Sequence, residues 1–439
     1  MTIWLRTLPT LRSPLAVVGA VAVLAVATAC GPPPPKLTGR PGPVTERVTV
    51  SQFRDLEAGV QYAAFNAAAE AKAGAAVLHG GTVGLRGLYR GGVAYSLAPV
   101  NGQFPMGAAA VAPASATELY GADVGRFLST GSIVLAATSA GLFGARVGDV
   151  AEVRRWSDGG LTRLTIVGIV PDERLPAEML FPTTTASAIG FVRPTSVQIY
   201  GYKSVKAVDD ALAKHGLRRS DVRISHPNTD PSSPDSTLGL LDTKVKLGMF
   251  WYVSRGDGAI TIDPAWAQAN LVRTAFTGVG VVATCHRVIV PYLQAAFTEI
   301  AAAGLAGAID TANTNRYGGC YGPREVRSSG GTTGGNLSRH TWAMALDTNT
   351  ATNPMGGTPT MDCRVVRIFR KHGFAWGGNF LTPDGMHFEF VGEDRSKISY
   401  PSRFCPNIVG GADSGGAAAA AAEAAQVKPP TMQEPYEEE

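Results

Sequence analysis

Apolar and polar residues alternate most cleanly near the C-terminus, where Met386, Phe388 and Phe390 interleave with His387 and Glu389. A period of two belongs to a strand, so His387 and Glu389 should share one face while the apolar residues enter a core. Helical spacing governs Pro291 to Leu305: Leu293, Ala296, Phe297 and Ile300 fall on one side, Pro291 stands in the first turn and Gly304 near the end. A second helix fits Val205 to His215, with Gly216 as its cap. Residues 51–77 are Ala-rich with a helical pattern, and residues 131–150 read as strand, short helix and turn. The β-rich runs 151–156 and 161–170, joined by Ser157-Asp158-Gly159-Gly160, predict a hairpin. A Pro-, Ser- and Asp-rich stretch at 226–237 predicts a linker between an accessory domain, 44–225, and a second domain, 238–409. The pattern is that of an α+β protein of two domains. The tail, 410–439, runs from Gly/Ala-rich to Pro-rich to acidic and is expected to be disordered.

The N-terminus changes the picture of where such a chain works. Arg6 and Arg12 precede an apolar stretch, Leu15 to Ala29, that is short for a membrane span and ends Ala27-Thr28-Ala29-Cys30-Gly31. This resembles a bacterial lipobox. It implies that residues 1–29 are a lipoprotein signal peptide and that Cys30 is lipidated, with ordinary secretion as the competing reading. Prolines through 30–43 then form a tether off the membrane. The expected location is extracytoplasmic, on the cell membrane and facing the wall. Five cysteines agree with export: beside Cys30 there are Cys285, Cys320, Cys363 and Cys405, an even set that predicts two disulfides of open pairing. None lies in a CxxC pair, so neither a thiolate zinc site nor a catalytic thiol is expected. With 439 residues, 45% apolar and 17% charged, the chain can bury two cores. Its formal charge of +4 comes without a basic stripe interleaved with aromatics, so nucleic acid is not an expected partner.

The candidate chemistry lies in two segments, Ser338-Arg339-His340 through Ala345-Leu346-Asp347, and Asp384-Gly385-Met386-His387. They offer two imidazoles and a carboxylate to a metal, plus a spare carboxylate, which is the inventory of a catalytic zinc site with an open position. The spacing from His340 to Asp347 suits either one helix face or a strand and loop. The other histidines, His79, His215, His226, His286 and His372, stand alone and read as structural.

These segments resemble the VanY- and VanX-type D-alanyl-D-alanine peptidases, a family that includes phage endolysins cutting L-Ala-D-Glu bonds. The family pattern is Ser-x-His-x-x-Gly-x-Ala-x-Asp followed by a carboxylate-x-x-His before an aromatic. Ser338, His340, Ala345, Asp347, Asp384, His387 and Phe388 match it, and the likeness covers about 250–405. The resemblance implies that His340, Asp347 and His387 bind Zn2+ and that Asp384 is the general base, with Glu389 its rival. It implies that Arg324 meets the substrate carboxylate or the oxyanion and that Ser338 orients substrate or a backbone group. It also implies a small antiparallel sheet with helices on one side, zinc at the sheet, and peptidoglycan stem peptides as substrate. D-Ala-D-Ala carboxypeptidase action is expected; the alternatives are an L-Ala-D-Glu-type endopeptidase, or a weak or inactive wall-binding lipoprotein. One position departs from the pattern: Ala343 stands where the family has Gly, which is costly if that residue needs positive φ. In 44–225, Ala145-Arg146-Val147-Gly148-Asp149-Val150 and Thr165 through Pro171 resemble the extracytoplasmic core domain of MacB/FtsX-type exporter permeases. That likeness implies an envelope protein as a partner.

Overall fold

The computed structural model describes residues 47–408, apart from 53–54, 156–159, 192, 219–221, 227–232, 311–318, 327–335 and 401. The signal peptide, Cys30, the tether, the tail and part of the expected linker lie outside the described residues. No helix among the described residues is long and apolar enough to cross a membrane.

One long strand, Gly74–Arg90, organises residues 47–225. Its first half pairs with Ser196–Tyr200, which continues through Arg47–Ser51 to Arg223–Ser225, all antiparallel. Its second half pairs with Phe104–Val111 on one side. From there the order runs through Met179–Pro182, Ser132–Ala136 and Thr162–Val170 to Val150–Arg154, which returns to pair with Gly74–Arg90. Six strands thus close into a ring, filled by Val83, Leu85, Leu88, Met106, Ile133, Ile166, Met179 and Phe181. The predicted hairpin is Val150–Arg154 paired antiparallel with Thr162–Val170. The Ala-rich helix is shorter than the pattern suggested, Ala58–Glu70. Lys72 at φ 54° breaks it, and Ala75, Ala76 and Val77 continue as strand. Alanine suits a helix surface and a tightly packed sheet equally, so its density did not mark the boundary.

In the C-terminal part a small antiparallel sheet runs in the order Ala345–Asp347, His387–Phe390, Phe374–Trp376. The helices Val290–Ala302 and Cys363–Lys371 pack on it through a chain of rings. Phe297 meets Phe369 edge-on at 5.7 Å, and Phe369 stacks on Phe388 at 4.1 Å. The four remaining cysteines form two disulfides, Cys285–Cys320 and Cys363–Cys405. Asp235, in the stretch read as linker, is buried in this half and accepts hydrogen bonds from Arg370, the Trp376 amide and Asn379.

Candidate metal centre

The structure places His340 on a single 3-10 turn, Arg339–Trp342, rather than on a helix face. Ser338 caps that turn: its hydroxyl accepts the His340 amide at 3.3 Å. Ala343 ends it in the left-handed region, φ 52° and ψ 33°, and the chain then runs straight into the strand that carries Asp347. The positive φ anticipated at the family's Gly position is therefore present, on a fully buried Ala. Asp347 and His387 are direct cross-strand partners, which brings the two motifs together.

His340, Asp347 and His387 each offer one ligand atom, and these atoms lie within 4.8 Å of one another. All three side chains are buried. His340 Nδ1 lies 3.0 Å from the Cys320 carbonyl, which only accepts, so Nδ1 carries the proton and Nε2 presents a lone pair. That Nε2 lies 3.1 Å from Asp347 Oδ2, yet it is buried without a hydrogen bond. On the other side, His387 Nδ1 lies 3.0 Å from Asp347 Oδ1, and its Nε2 lies 3.3 Å from Glu389 Oε2. Two imidazole nitrogens thus converge on the two oxygens of one carboxylate. At His340 this sets an Nε2 lone pair against a carboxylate oxygen with no proton between them, and a shared cation resolves it. The residues therefore fit a metal of zinc type, with His340 Nε2, His387 Nδ1 and an Asp347 oxygen as donors.

Electrostatics follow from the same contacts. Burial would raise the Asp347 carboxyl, but the adjacent imidazoles of His340 and His387 overcome it and hold the group well below the usual carboxylate range. Burial opposes a charge on His387, yet the carboxylates of Asp347 and Glu389 outweigh it and push the imidazole up to about 10. Asp384 shifts the other way. Burial raises it, Asp347 adds to the rise, and the positive charges of His387, His340 and Arg324 only partly offset it. Its Oδ1 is buried with no hydrogen-bond partner. Asp384 is held by its backbone, which donates to the Gly377 carbonyl at 2.9 Å and accepts from the His387 amide at 3.1 Å.

Arg324 enters from the segment after Cys320 and is half-buried. Its carbonyl accepts from the Ser338 amide at 3.0 Å and from the Thr341 hydroxyl at 3.1 Å. The Arg324 segment and the His340 turn are thereby one unit. Sequence reasoning missed three groups. The Cys320 carbonyl is a backbone atom with no side-chain signal. Gly377 is needed because a Cβ there would come within 2.5 Å of the Asp384 carbonyl and 3.1 Å of His387 Cβ. Arg339 places its Nε 3.2 Å from Glu389 Oε1. Glu389, read as a rival base, faces His387 Nε2 and Arg339.

No curated protein matches the chain. Residues 331–390 match the family model described as D-alanyl-D-alanine carboxypeptidase, a span that contains His340, Asp347, Asp384 and His387. By that match and its His-Asp-His group, the C-terminal region is similar to a peptidase domain of the metal-dependent kind.

Proposed function

We propose that this protein is a zinc-dependent peptidase that hydrolyses peptidoglycan stem peptides, of the D-Ala-D-Ala carboxypeptidase type. The observation that carries the reading is the convergence of His340 Nε2 and His387 Nδ1 on Asp347 inside the segment matched by the carboxypeptidase model. Zinc bound by these three residues would supply Lewis-acid polarisation of the scissile carbonyl and of water. Asp384 takes the proton of the attacking water and delivers it to the leaving amine. A carboxyl raised by burial is suited to hold that proton between the two steps. Arg324 pairs with the substrate carboxylate or the developing oxyanion, for which a guanidinium fork is well shaped. Ser338 keeps the His340 turn closed by accepting the His340 amide, the backbone-orienting one of its two expected roles. Upstream, a lipid on Cys30 would tether the enzyme to the membrane, facing the wall, and residues 44–225 would dock to an envelope protein.

The test is mass spectrometry of products from muropeptide pentapeptides incubated with the zinc-supplied protein and an Asp384→Asn control. Loss of one terminal Ala is expected. Asp384→Asn should keep zinc and lose about 10²–10⁴-fold in turnover. A cut within the stem would make the enzyme an endopeptidase. Retained turnover in Asp384→Asn would remove the base assignment.

A further inference from the structure

Glu389 and Arg339 are charged, sit beside the metal ligands and have no part in the mechanism above. Glu389 shares a sheet face with His387, and its neighbours across the two adjoining strands are Ala345 and Ala375. Those small side chains leave room for a carboxylate within the sheet. Glu389 is 3% exposed: Oε2 lies 3.3 Å from His387 Nε2, and buried Oε1, without a hydrogen bond, is ion-paired with Arg339 Nε at 3.2 Å. Arg339 is anchored in turn by a 2.6 Å hydrogen bond to the Leu238 carbonyl. In the metal-free protein both ring nitrogens of His387 face carboxylates; with a metal on the Asp347 side, Glu389, which only accepts, would keep the remaining proton on Nε2 and leave Nδ1 as the donor. A lone buried carboxylate beside a metal ligand would be strongly unfavourable, and the guanidinium answers it.

We propose that Arg339 and Glu389 are a positioning pair that presents His387 to the metal through Nδ1. The pair fixes both the rotation and the tautomer of the ring. Because Arg339 stands immediately before His340 on the same turn, one residue links the placement of the first ligand to the orientation of the third. The proposal rests on the metal-site reading given above.

The experiment measures zinc dissociation constants of the full chain by chelator competition, with 15N NMR of the His387 imidazole. In the zinc-loaded wild type, Nε2 alone should be the protonated nitrogen. Glu389→Gln and Arg339→Met should each weaken zinc by about 10–100-fold and alter the Nε2–H signal, as expected on losing the outer partner of a metal-bound imidazole. Arg339→Lys should regain most of the affinity. The double variant should bind no more weakly than the worse single one, because the two residues act through one hydrogen bond. If Arg339→Met does not fold, Glu389→Gln against Arg339→Lys carries the same comparison. Variants with unchanged zinc affinity and an unchanged His387 signal would overturn the proposal alone. A wild type that takes no zinc would overturn the peptidase reading as well.

Discussion

At the scale of single residues, Asp347 does the most to define the centre, because each of its oxygens faces a different imidazole. In the metal-free protein His387 stays protonated up to a pH of about 10, so a metal must displace that proton. Zinc affinity should therefore rise with pH between about 6 and 8, by roughly tenfold per unit where a single proton is released. Calorimetry in buffers of different ionisation enthalpy would count the proton. The linkage has a converse. A pKa raised in the folded state stabilises the metal-free protein fully below the unfolded imidazole value, and that contribution fades as pH climbs toward about 10. Ala343 is the other residue with a measurable consequence. Its left-handed backbone disfavours any Cβ, so Ala343→Gly should relieve strain of about 1 kcal/mol, less what glycine's looser unfolded chain takes back. A small rise in the denaturation midpoint, with zinc affinity kept, is the expected result. Both residues were legible in the sequence: Asp347 from the order of the motifs, Ala343 from its departure at a position where glycine is usual.

At the scale of elements, legibility depended on whether the signal was periodic. The alternation around His387 gave its strand, and the 3.6-residue spacing gave the helix Val290–Ala302. The route from His340 to Asp347 was not legible, because a 3-10 turn followed by a left-handed residue has no hydrophobic period. The closure of six strands into a ring was equally hidden, since it depends on pairings between residues far apart in the chain, such as Leu88 with Ala151. Gly377 shows a third kind of silence. Its turn packs directly under the Asp384 carbonyl and His387, and nothing local distinguishes it from Gly378. Gly377→Ala should push the Asp384 segment away from the ligands. A shift of that order costs about 10²-fold in kcat/KM when it misplaces reacting groups. Far-UV circular dichroism would show the fold retained while kinetics report the loss.

At the scale of the whole molecule, residues 47–225 and the rest of the described chain meet through polar groups, most of them buried. Lys244, on the helix Leu240–Leu247, is fully buried and reaches across to Glu178 and the Pro105 carbonyl of the large sheet. Gln103 and Tyr252 exchange backbone hydrogen bonds of 2.9 and 2.8 Å, and their side chains add another at 2.7 Å. Thr82 bonds Asn336 at 2.7 Å, just before the turn that carries His340. Removing Lys244 would strand the Glu178 charge. Lys244→Ala should therefore destabilise by about 3–5 kcal/mol, read by urea denaturation, although Lys244 lies outside the metal centre. The linker composition at 226–237 gave no sign of these contacts, because composition reports local chain character and not what faces it.

The disulfide between Cys285 and Cys320 carries one more consequence. The carbonyl that sets the His340 tautomer belongs to Cys320 itself, so the bridge fixes the atom against which the first ligand is aligned. Opening the bridge should therefore loosen His340, and the reduced protein is expected to bind zinc more weakly than the oxidised one in the same chelator titration. On the proposed peptidase reading, turnover would then depend on surroundings that keep this bridge closed, and a mild reductant would silence the protein without touching a ligand.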